Sequence, residues 1–194
     1  MGFEYVQFDN MYSDVEVSNI MAELDFLRRG EAFLPPEQSQ SALGVNGAPL
    51  KKNKAVILDT IYARREVSAV LAYNRKLFSK EIPYDELSVI FNALRTCSSD
   101  STVLSYYEDS DYYLPHADGS ALTALTYFYR EPKQFSGGEL VFPKHDTTLP
   151  PLHNTTYLFC GQELHGVNPI RMNPEDVGKG LGRYCMAQFL SFKF

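Results

Sequence analysis

The sequence predicts a single α+β domain in which N-terminal helices support a core of short antiparallel strands, folded as a jelly roll (a double-stranded β-helix). Three observations support this. The chain has 194 residues, a length that suits one domain, and 44% of them are hydrophobic. Helical apolar spacing dominates residues 1–100, which we expect to form the mainly helical support. Residues 101–194 alternate β-branched and aromatic runs with turns, which predicts the jelly-roll core.

The first helix is predicted to follow Ser13 and Asp14, because both residue types can cap a helix. Apolar side chains then recur at roughly amphipathic spacing, at Val15, Val17, Ile20, Met21 and Leu24. Arg28 and Arg29 followed by Gly30 indicate a cationic last turn and a glycine stop.

Residues 33–50 are predicted to form a loop, because prolines and glycines are frequent there among Ser and Gln. A loop of this length in a compact domain is more often functional or mobile than a short connector is. A plain connector and a lid on the substrate side both remain open for this segment.

The rest of the supporting half holds a strand and a second helix. Residues 55–58 are predicted to form a strand entered through the basic turn 51–54. A helix is predicted over 65–79, with Val67, Val70, Leu71 and Leu77 as its buried stripe. Residues 85–94 are apolar-rich and fit either a helix or a strand.

The core half predicts a series of strands separated by turns, with turns at 108–111 and 135–138. The strands are expected at 103–107, 121–129, 139–142, 155–160 and 183–192. The strand over 121–129 is expected to be half-buried. Thr126 and Phe128 share one face of it and Tyr127 and Tyr129 the other, and the sequence does not decide which face looks into the barrel.

Composition excludes several classes of protein. A net charge of −6 argues against a general nucleic-acid binder, which normally has a basic surface. Three widely spaced cysteines predict reduced thiols. No apolar run approaches the roughly 18 residues of a membrane span, and the acidic start does not resemble a secretory leader. We therefore expect a cytoplasmic protein without a membrane partner.

Four residues of the core half form the candidate chemical site: His116, Asp118, His165 and Arg183. Two histidines and one carboxylate are the ligand set of facial-triad non-haem Fe(II) sites. His116 and Asp118 stand at i and i+2, so on a strand their side chains point to the same face. Arg183 offers a planar, permanently charged group that suits a carboxylate. A metal beside a carboxylate anchor is the minimal equipment of a 2-oxoglutarate-dependent oxygenase.

The sequence around these residues resembles the prolyl-4-hydroxylase-like branch of the Fe(II)/2-oxoglutarate dioxygenase superfamily. The matching motifs, in the family's order, are Tyr107, Tyr113-Leu114-Pro115-His116-Ala117-Asp118, Ser136-Gly137-Gly138-Glu139-Leu140-Val141-Phe142, Leu164-His165-Gly166-Val167-Asn168-Pro169 and Gly182-Arg183-Tyr184. Only a generic helical support is recognisable before Tyr107.

The resemblance implies that His116, Asp118 and His165 ligate Fe(II) and carry catalysis. It implies that Arg183 binds the distal carboxylate of 2-oxoglutarate, with O2 as the second cosubstrate and ascorbate as a supporting reductant. The implied reaction is hydroxylation of a C–H bond, coupled to conversion of 2-oxoglutarate to succinate and CO2. Asp118 favours hydroxylation, because related halogenases lack this carboxylate.

Two tyrosines match aromatic positions of the family. We expect the Tyr107 hydroxyl to reach 2-oxoglutarate and Tyr113 to lie nearer the substrate mouth; aromatic core packing is the alternative for each. Residues 166–182, between His165 and Arg183, make a longer spacer than many members have. Its segment 171–180 is interpreted as a polar loop insertion, which makes Arg171 a rival anchor. Arg183 is preferred because it begins a predicted strand.

The resemblance favours a prolyl residue in a peptide or protein as substrate, with a free amino acid or another small metabolite as the alternative. Phe189 stands where the nucleic-acid demethylase branch carries a second Arg, so a nucleic acid is not expected. A hypothesis of another class is a non-catalytic metal-binding jelly roll that acts as a sensor or interaction module. The sequence carries no signal for the oligomeric state.

Overall fold

The computed structural model describes residues 3–79, Ile82 and 88–192. Its strands are β1 (Tyr5–Phe8), β2 (Lys54–Ile57), β3 (Ser99–Tyr107), β4 (Tyr113–His116), β5 (Leu122–Phe128), β6 (Phe135–Gly137), β7 (Leu140–Phe142), β8 (Thr147–Leu149), β9 (Thr155–Cys160), β10 (His165–Val167), β11 (Ile170–Met172) and β12 (Arg183–Ser191). Its α-helices are α1 (Asp14–Arg29), α2 (Leu58–Ile61), α3 (Ala69–Tyr73) and α4 (Val89–Asn92). Short 3-10 turns occupy Pro36–Gln38, Arg65–Val67, Asn74–Phe78, Ala93–Thr96, Pro143–His145 and Pro174–Asp176.

The strands form two main antiparallel sheets. The larger has six strands in the order β1-β9-β5-β12-β3-β2, and the smaller has four in the order β4-β10-β7-β8. A two-stranded ribbon joins β11 and β6. The helices α1–α4 lie before β3 in the chain, and with the pair of antiparallel sheets they confirm the predicted α+β jelly roll, although β1 and β2 of the N-terminal half also join the larger sheet.

The six-stranded sheet is covered on both faces. One face packs on the helices, where Leu104, Phe128 and Met186 share a cluster with Ile20 and Leu24 of α1. The other face looks into the barrel, where residues of the large sheet share a second cluster with residues of the small one: Tyr107, Leu125, Tyr127, Tyr157, Cys185, Leu140, Phe142 and Val167. All of β5 is therefore buried, and the prediction that it would be half-buried is wrong.

The local signals for α1 are confirmed. Ser13 is its N-cap and forms a capping box with Glu16, so two backbone N–H groups of the first turn are satisfied by side chains. Gly30 ends the helix, yet its φ is −80°. The left-handed residue is Glu31, with φ 55°.

The helix predicted over 65–79 is broken into a 3-10 turn, the short helix α3 and a second 3-10 turn, so this prediction is wrong. The break lies at Ser68, whose extended backbone caps α3 through a bond from Leu71 N–H. The Ser68 hydroxyl also donates to Glu23 of α1 at 2.7 Å. Of the predicted stripe, Val70, Leu71 and Leu77 are buried, but Val67 is 63% exposed.

Three other predictions need correction or comment. The turn predicted at 135–138 contains β6, which pairs with β11. Arg171 lies in β11 and not in a loop insertion. The segment 85–94, left open between helix and strand, contains α4 and the turn Ala93–Thr96, while its residues 85–87 lie outside the described residues.

The loop over 33–50 has little regular structure. It holds the 3-10 turn Pro36–Gln38 and two isolated bridges, Leu34 with Ala55 and Leu43 with Pro49. Within the described part of the chain, no helix has the length and apolar character needed to cross a membrane.

Candidate metal centre and its cavity

Three of the predicted side chains converge at one point between the sheets. The ligand atoms of His116, Asp118 and His165 all lie within 4.8 Å of one another. His116 Nε2 is 3.6 Å from Asp118 Oδ1, and His165 Nε2 is 3.5 Å from Asp118 Oδ2. A metal ion about 2 Å from each donor holds neighbouring donors about 3 Å apart. The donor set and its spacing therefore fit a small divalent cation such as Fe(II).

The two histidines are brought together by strand pairing, since His116 of β4 lies opposite His165 of β10. Asp118 follows the end of β4, so the strand alternation expected for His116 and Asp118 does not apply to it. Its backbone N–H bonds to Gly161 O at 2.7 Å, and Gln162 Nε2 donates to its carbonyl at 2.7 Å. The turn after β4 thus positions the carboxylate.

Both imidazoles are oriented by backbone carbonyls. His116 Nδ1 lies 2.9 Å from Leu114 O, and His165 Nδ1 lies 2.9 Å from Glu163 O. Because a carbonyl only accepts, each Nδ1 carries the proton and each Nε2 keeps its lone pair for a metal. Burial, reinforced by the nearby His165, lowers the pKa of His116 and favours the neutral ring that ligation requires.

The carboxylate has a partner that the sequence did not reveal. Thr123 of β5 donates from its hydroxyl to Asp118 Oδ2 at 2.7 Å, and Ser120 Oγ lies 2.9 Å from the same hydroxyl. Thr123 is fully buried. A hydrogen bond of this kind fixes the orientation of a ligating carboxylate. A threonine five residues after an aspartate is too common a pattern to have indicated this role.

Arg183 is a completely buried cation without a counter-ion among the described residues. Its exposure is 0%, and Nη1 donates to Gly138 O at 2.6 Å. Its Nε and Nη2 have no hydrogen-bond partner. Gly138 has φ +76°, a conformation that favours glycine and that turns its carbonyl to the guanidinium. Two unpartnered nitrogens, which together carry three N–H groups on a buried charge, fit an incoming carboxylate, as a 2-oxo acid cosubstrate requires.

Tyrosine rings sandwich this guanidinium. Its carbon lies 4.1 Å from the Tyr107 ring centroid and 4.9 Å from that of Tyr127. Tyr127 and Tyr129 therefore face the barrel, and Phe128 faces the helices. The rival Arg171 is exposed, and its guanidinium donates to the Ile170 carbonyl at 3.4 Å.

Tyr113 connects the cluster to the loop over 33–50. Its ring stacks on His116 with centroids 3.8 Å apart and planes at 18°. Its hydroxyl accepts a hydrogen bond from Ala42 N–H at 2.9 Å. The loop thus borders the site, although whether it acts as a lid stays a prediction.

A cavity of about 570 Å³ adjoins the cluster. The three clustered side chains line it together with Tyr107, Tyr113 and Lys51. Small residues of β3 and β12, among them Ser105 and Ala187, line it on the large sheet and leave this space. Phe189 also lines it, whereas Arg183 lies behind the wall, against Tyr107. Lys51 was seen in the sequence only as part of a basic turn.

Residues 102–191 match the sequence model of the 2OG-Fe(II) oxygenase superfamily. This superfamily uses Fe(II), 2-oxoglutarate and O2, and the clustered donors fit that requirement.

Solved structures share the whole fold at low sequence identity. A viral collagen prolyl hydroxylase from Paramecium Bursaria Chlorella virus-1, in its 2OG complex, is 15% identical with a TM-score of 0.60, over 97% of this chain and 96% of that one. A prolyl hydroxylase from Trichoplax adhaerens, bound to a hypoxia inducible factor peptide fragment, is 11% identical with a TM-score of 0.65, over 96% and 83%. A prolyl-4-hydroxylase from Pseudomonas putida is 15% identical with a TM-score of 0.59, over 99% and 94%. At these identities the likeness establishes the fold.

Proposed function

We propose that this chain is a 2OG-Fe(II) oxygenase, a proposal supported by the match of residues 102–191 to the sequence model of that superfamily. The chain is a 2-oxoglutarate-dependent dioxygenase that hydroxylates a C–H bond, and its substrate is a prolyl residue in a peptide or protein. The proposed iron ligands are His116, Asp118 and His165, and the proposed anchor of the distal 2-oxoglutarate carboxylate is Arg183.

The observation that carries the proposal is a buried cation, without a counter-ion among the described residues, that contacts Tyr107 in the wall of the cavity lined by the His-Asp-His cluster. A guanidinium at 0% exposure with two nitrogens that lack a hydrogen-bond partner among the described residues is costly unless an anion binds there. Tyr107 lines the cavity and stacks on Arg183 at 4.1 Å. This contact supports the expectation that the Tyr107 hydroxyl reaches the same cosubstrate.

The residues of the chain have separate tasks in this reaction. When bound, Fe(II) with 2-oxoglutarate and O2 supplies the oxidising chemistry that places one oxygen atom on the substrate and releases succinate and CO2. The Nδ1–H bonds to Leu114 and Glu163 fix the imidazoles, so that both Nε2 atoms point at one position. Thr123 holds the carboxylate of Asp118. Low exposure of the three side chains, 3% for the His165 residue and 9% and 10% for the side chains of His116 and Asp118, would limit the contact of this centre with bulk water.

The prolyl substrate is supported by the fold. The three solved structures above are prolyl hydroxylases, and the one from Trichoplax adhaerens is bound to a peptide. Tyr113, stacked on His116 and part of the cavity wall, is the proposed substrate-side aromatic residue. An aromatic face beside the metal suits the apolar ring of a prolyl residue.

Hydroxylation of a free amino acid or another small metabolite is the second candidate. The observation in its favour is the buried ammonium of Lys51 in the cavity wall, which suits a substrate with a free carboxylate.

The deciding experiment measures succinate formation by the Fe(II)-loaded protein with 2-oxoglutarate, alone and with a panel of proline-containing peptides and free amino acids. Mass spectrometry should show one added oxygen atom on a peptide prolyl residue. Oxygen added only to free amino acids would select the second candidate. If the metal-loaded protein does not bind 2-oxoglutarate, the chain is a non-catalytic module and the proposal fails.

A further inference from the structure

Lys51 is a buried cation in the wall of the cavity. Its exposure is 5%, and it pairs with Tyr113 through an isolated β-bridge. Its Nζ donates to Ser39 O at 2.9 Å and to Gln40 O at 2.6 Å. The same Nζ lies 6.0 Å from the centroid of the Tyr113 ring, and that ring stacks on the imidazole of His116. The ammonium therefore lies at the substrate side of the proposed iron centre.

The charge of Lys51 is not compensated by any carboxylate among residues 3–79, 82 and 88–192. Its only hydrogen bonds run to two neutral carbonyls, and burial lowers its pKa to about 8 without an opposing contribution from an acidic group. Lys52, its neighbour in the chain, behaves differently, since its side chain is 50% exposed and pairs with Asp111 at 3.9 Å. Burial of one lysine of this basic turn is thus a specific feature of the fold.

The other charged groups of the cavity wall already have partners or assigned roles. Asp100 pairs with Arg65 at 3.1 Å and with Arg75 at 2.8 Å. Asp118 belongs to the proposed iron centre. The ammonium of Lys51 is therefore available to pair with a molecule bound in the cavity.

Chemistry decides what such a group binds. An ammonium has three N–H groups, of which two are used here, so one remains to donate. A buried charge is stable only when it is paired and hydrogen-bonded, and a carboxylate would supply both. In the proposed function Arg183 already binds the distal carboxylate of 2-oxoglutarate. A second cation in the cavity wall therefore points to a substrate that is itself anionic.

We propose that Lys51 binds a carboxylate of the substrate and so selects substrates whose reacting C–H bond lies near a negative charge. This rests on the proposed function and narrows it. The carboxylate has two sources, the free C-terminus of a prolyl peptide or of proline itself, and the acidic side chain of a residue beside the prolyl residue. Both present the same group to Nζ.

A purely structural role for Lys51 predicts something different. If its ammonium only fastens the loop to the barrel, loss of the side chain should weaken all substrates alike. Lys51→Gln separates the two roles, because an amide NH2 can still donate to the carbonyls of Ser39 and Gln40 while the charge is gone. Lys51→Met removes both functions. Lys52→Gln is the matched control, since it removes a neighbouring charge outside the cavity.

The experiment measures binding without turnover. The protein is loaded with Mn(II) and 2-oxoglutarate under anaerobic conditions, and two pairs of probes are titrated by calorimetry. One pair is a short peptide ending in proline, as the free carboxylate and as the amide. The other is an amidated peptide with Pro-Glu, compared with Pro-Gln. We expect one acidic probe to bind about 10- to 100-fold more tightly than its neutral partner, and the pair that shows this identifies the source of the carboxylate.

In Lys51→Gln this preference should fall to within about threefold of unity, while the neutral probe keeps its affinity and Lys52→Gln resembles the unmodified protein. Three results would overturn the proposal: no preference for acid over amide, including no binding of any probe; equal weakening of both members of a pair in Lys51→Gln; or an unchanged preference in that variant. The 2-oxoglutarate titration that precedes each probe separates the two proposals. If 2-oxoglutarate does not bind, the proposed function fails; if it binds and the probes show no charge preference, only the Lys51 assignment fails.

Discussion

The two faces of the six-stranded sheet are made by the same strands but differ in chemistry. In β12, Tyr184, Met186 and Leu190 point to the helices and join the apolar cluster there. The alternate residues Arg183 and Cys185 point into the barrel, where polar and small side chains border a cavity of about 570 Å³. Alternate residues of the same strand therefore serve different purposes. Those on the helix side are tightly packed and stabilise the fold, whereas those on the barrel side leave a cavity and polar groups that can bind ligands.

The strongest way to test this separation is to remove one proposed ligand from the barrel side. His165→Ala should lower the affinity for Co(II) or Mn(II) by at least about 100-fold and abolish succinate formation, because one of three donors is lost. Circular dichroism should show the fold retained. His153→Ala is the matched control, since His153 accepts from Tyr129 N–H at 3.2 Å outside the cluster. Equal metal binding by both variants would contradict the assignment.

Replacement of Arg183 should have the next largest effect. Arg183→Met should raise the dissociation constant of 2-oxoglutarate by about 100-fold or more, because a buried carboxylate would lose its charged partner. Arg171→Met should change it by less than about twofold, since Arg171 is exposed. Calorimetric titration of both variants checks this, and the opposite ranking would move the anchor to Arg171.

Substitutions on the helix side of the sheet should lower stability and leave ligand binding unchanged. Leu24→Ala should lower the free energy of unfolding by about 2–5 kcal/mol, because Leu24 is fully buried and its loss leaves a cavity. Affinity for 2-oxoglutarate in the folded protein should stay unchanged. Val15→Ala on the same helix is the control, since Val15 is 71% exposed and its loss should cost less than about 0.5 kcal/mol. Urea unfolding followed by circular dichroism measures both.

The smallest and sharpest test compares two hydroxyls on opposite faces of β5. Thr123→Val removes the donor to Asp118 Oδ2 and should weaken metal binding by about 10- to 100-fold. Thr126→Val removes a hydroxyl 2.7 Å from that of Thr156 and should cost about 1 kcal/mol of stability without affecting the metal. If both substitutions lower metal affinity, or neither does, the separation by parity does not hold at this strand.

Local signals in the sequence predicted whatever depends on near neighbours. The start of α1 was predicted from Ser13 and Asp14 as capping residues, and in the structure Ser13 forms a capping box with Glu16, three residues further along the chain. The strand Thr155–Cys160 was predicted with the correct bounds. The candidate site residues His116, Asp118, His165 and Arg183 could also be identified from the sequence, because the motifs that contain them occur in the same order as in the family that the sequence resembles.

Features that depend on contacts between residues far apart in the chain could not be predicted from the sequence. The barrel face of β5 depends on partners such as Arg183, which lies beside Tyr127. The break at Ser68 depends on Glu23 of another helix. Lys51 and Lys52 are alike in the sequence, and only the packing of residues 39–40 against Lys51 distinguishes the buried cation from the exposed one.

The order of strands in the large sheet has a consequence for synthesis of the chain. β12 lies between β5 and β3, although both are made before it. Until residues 183–191 leave the ribosome, β3 and β5 each present an unpaired edge, and unpaired edges favour association with other chains. We therefore expect nascent chains that stop before Arg183 to be sensitive to protease and to need a chaperone. A protease-resistant core in such ribosome-bound chains would show that the barrel closes without its central strand.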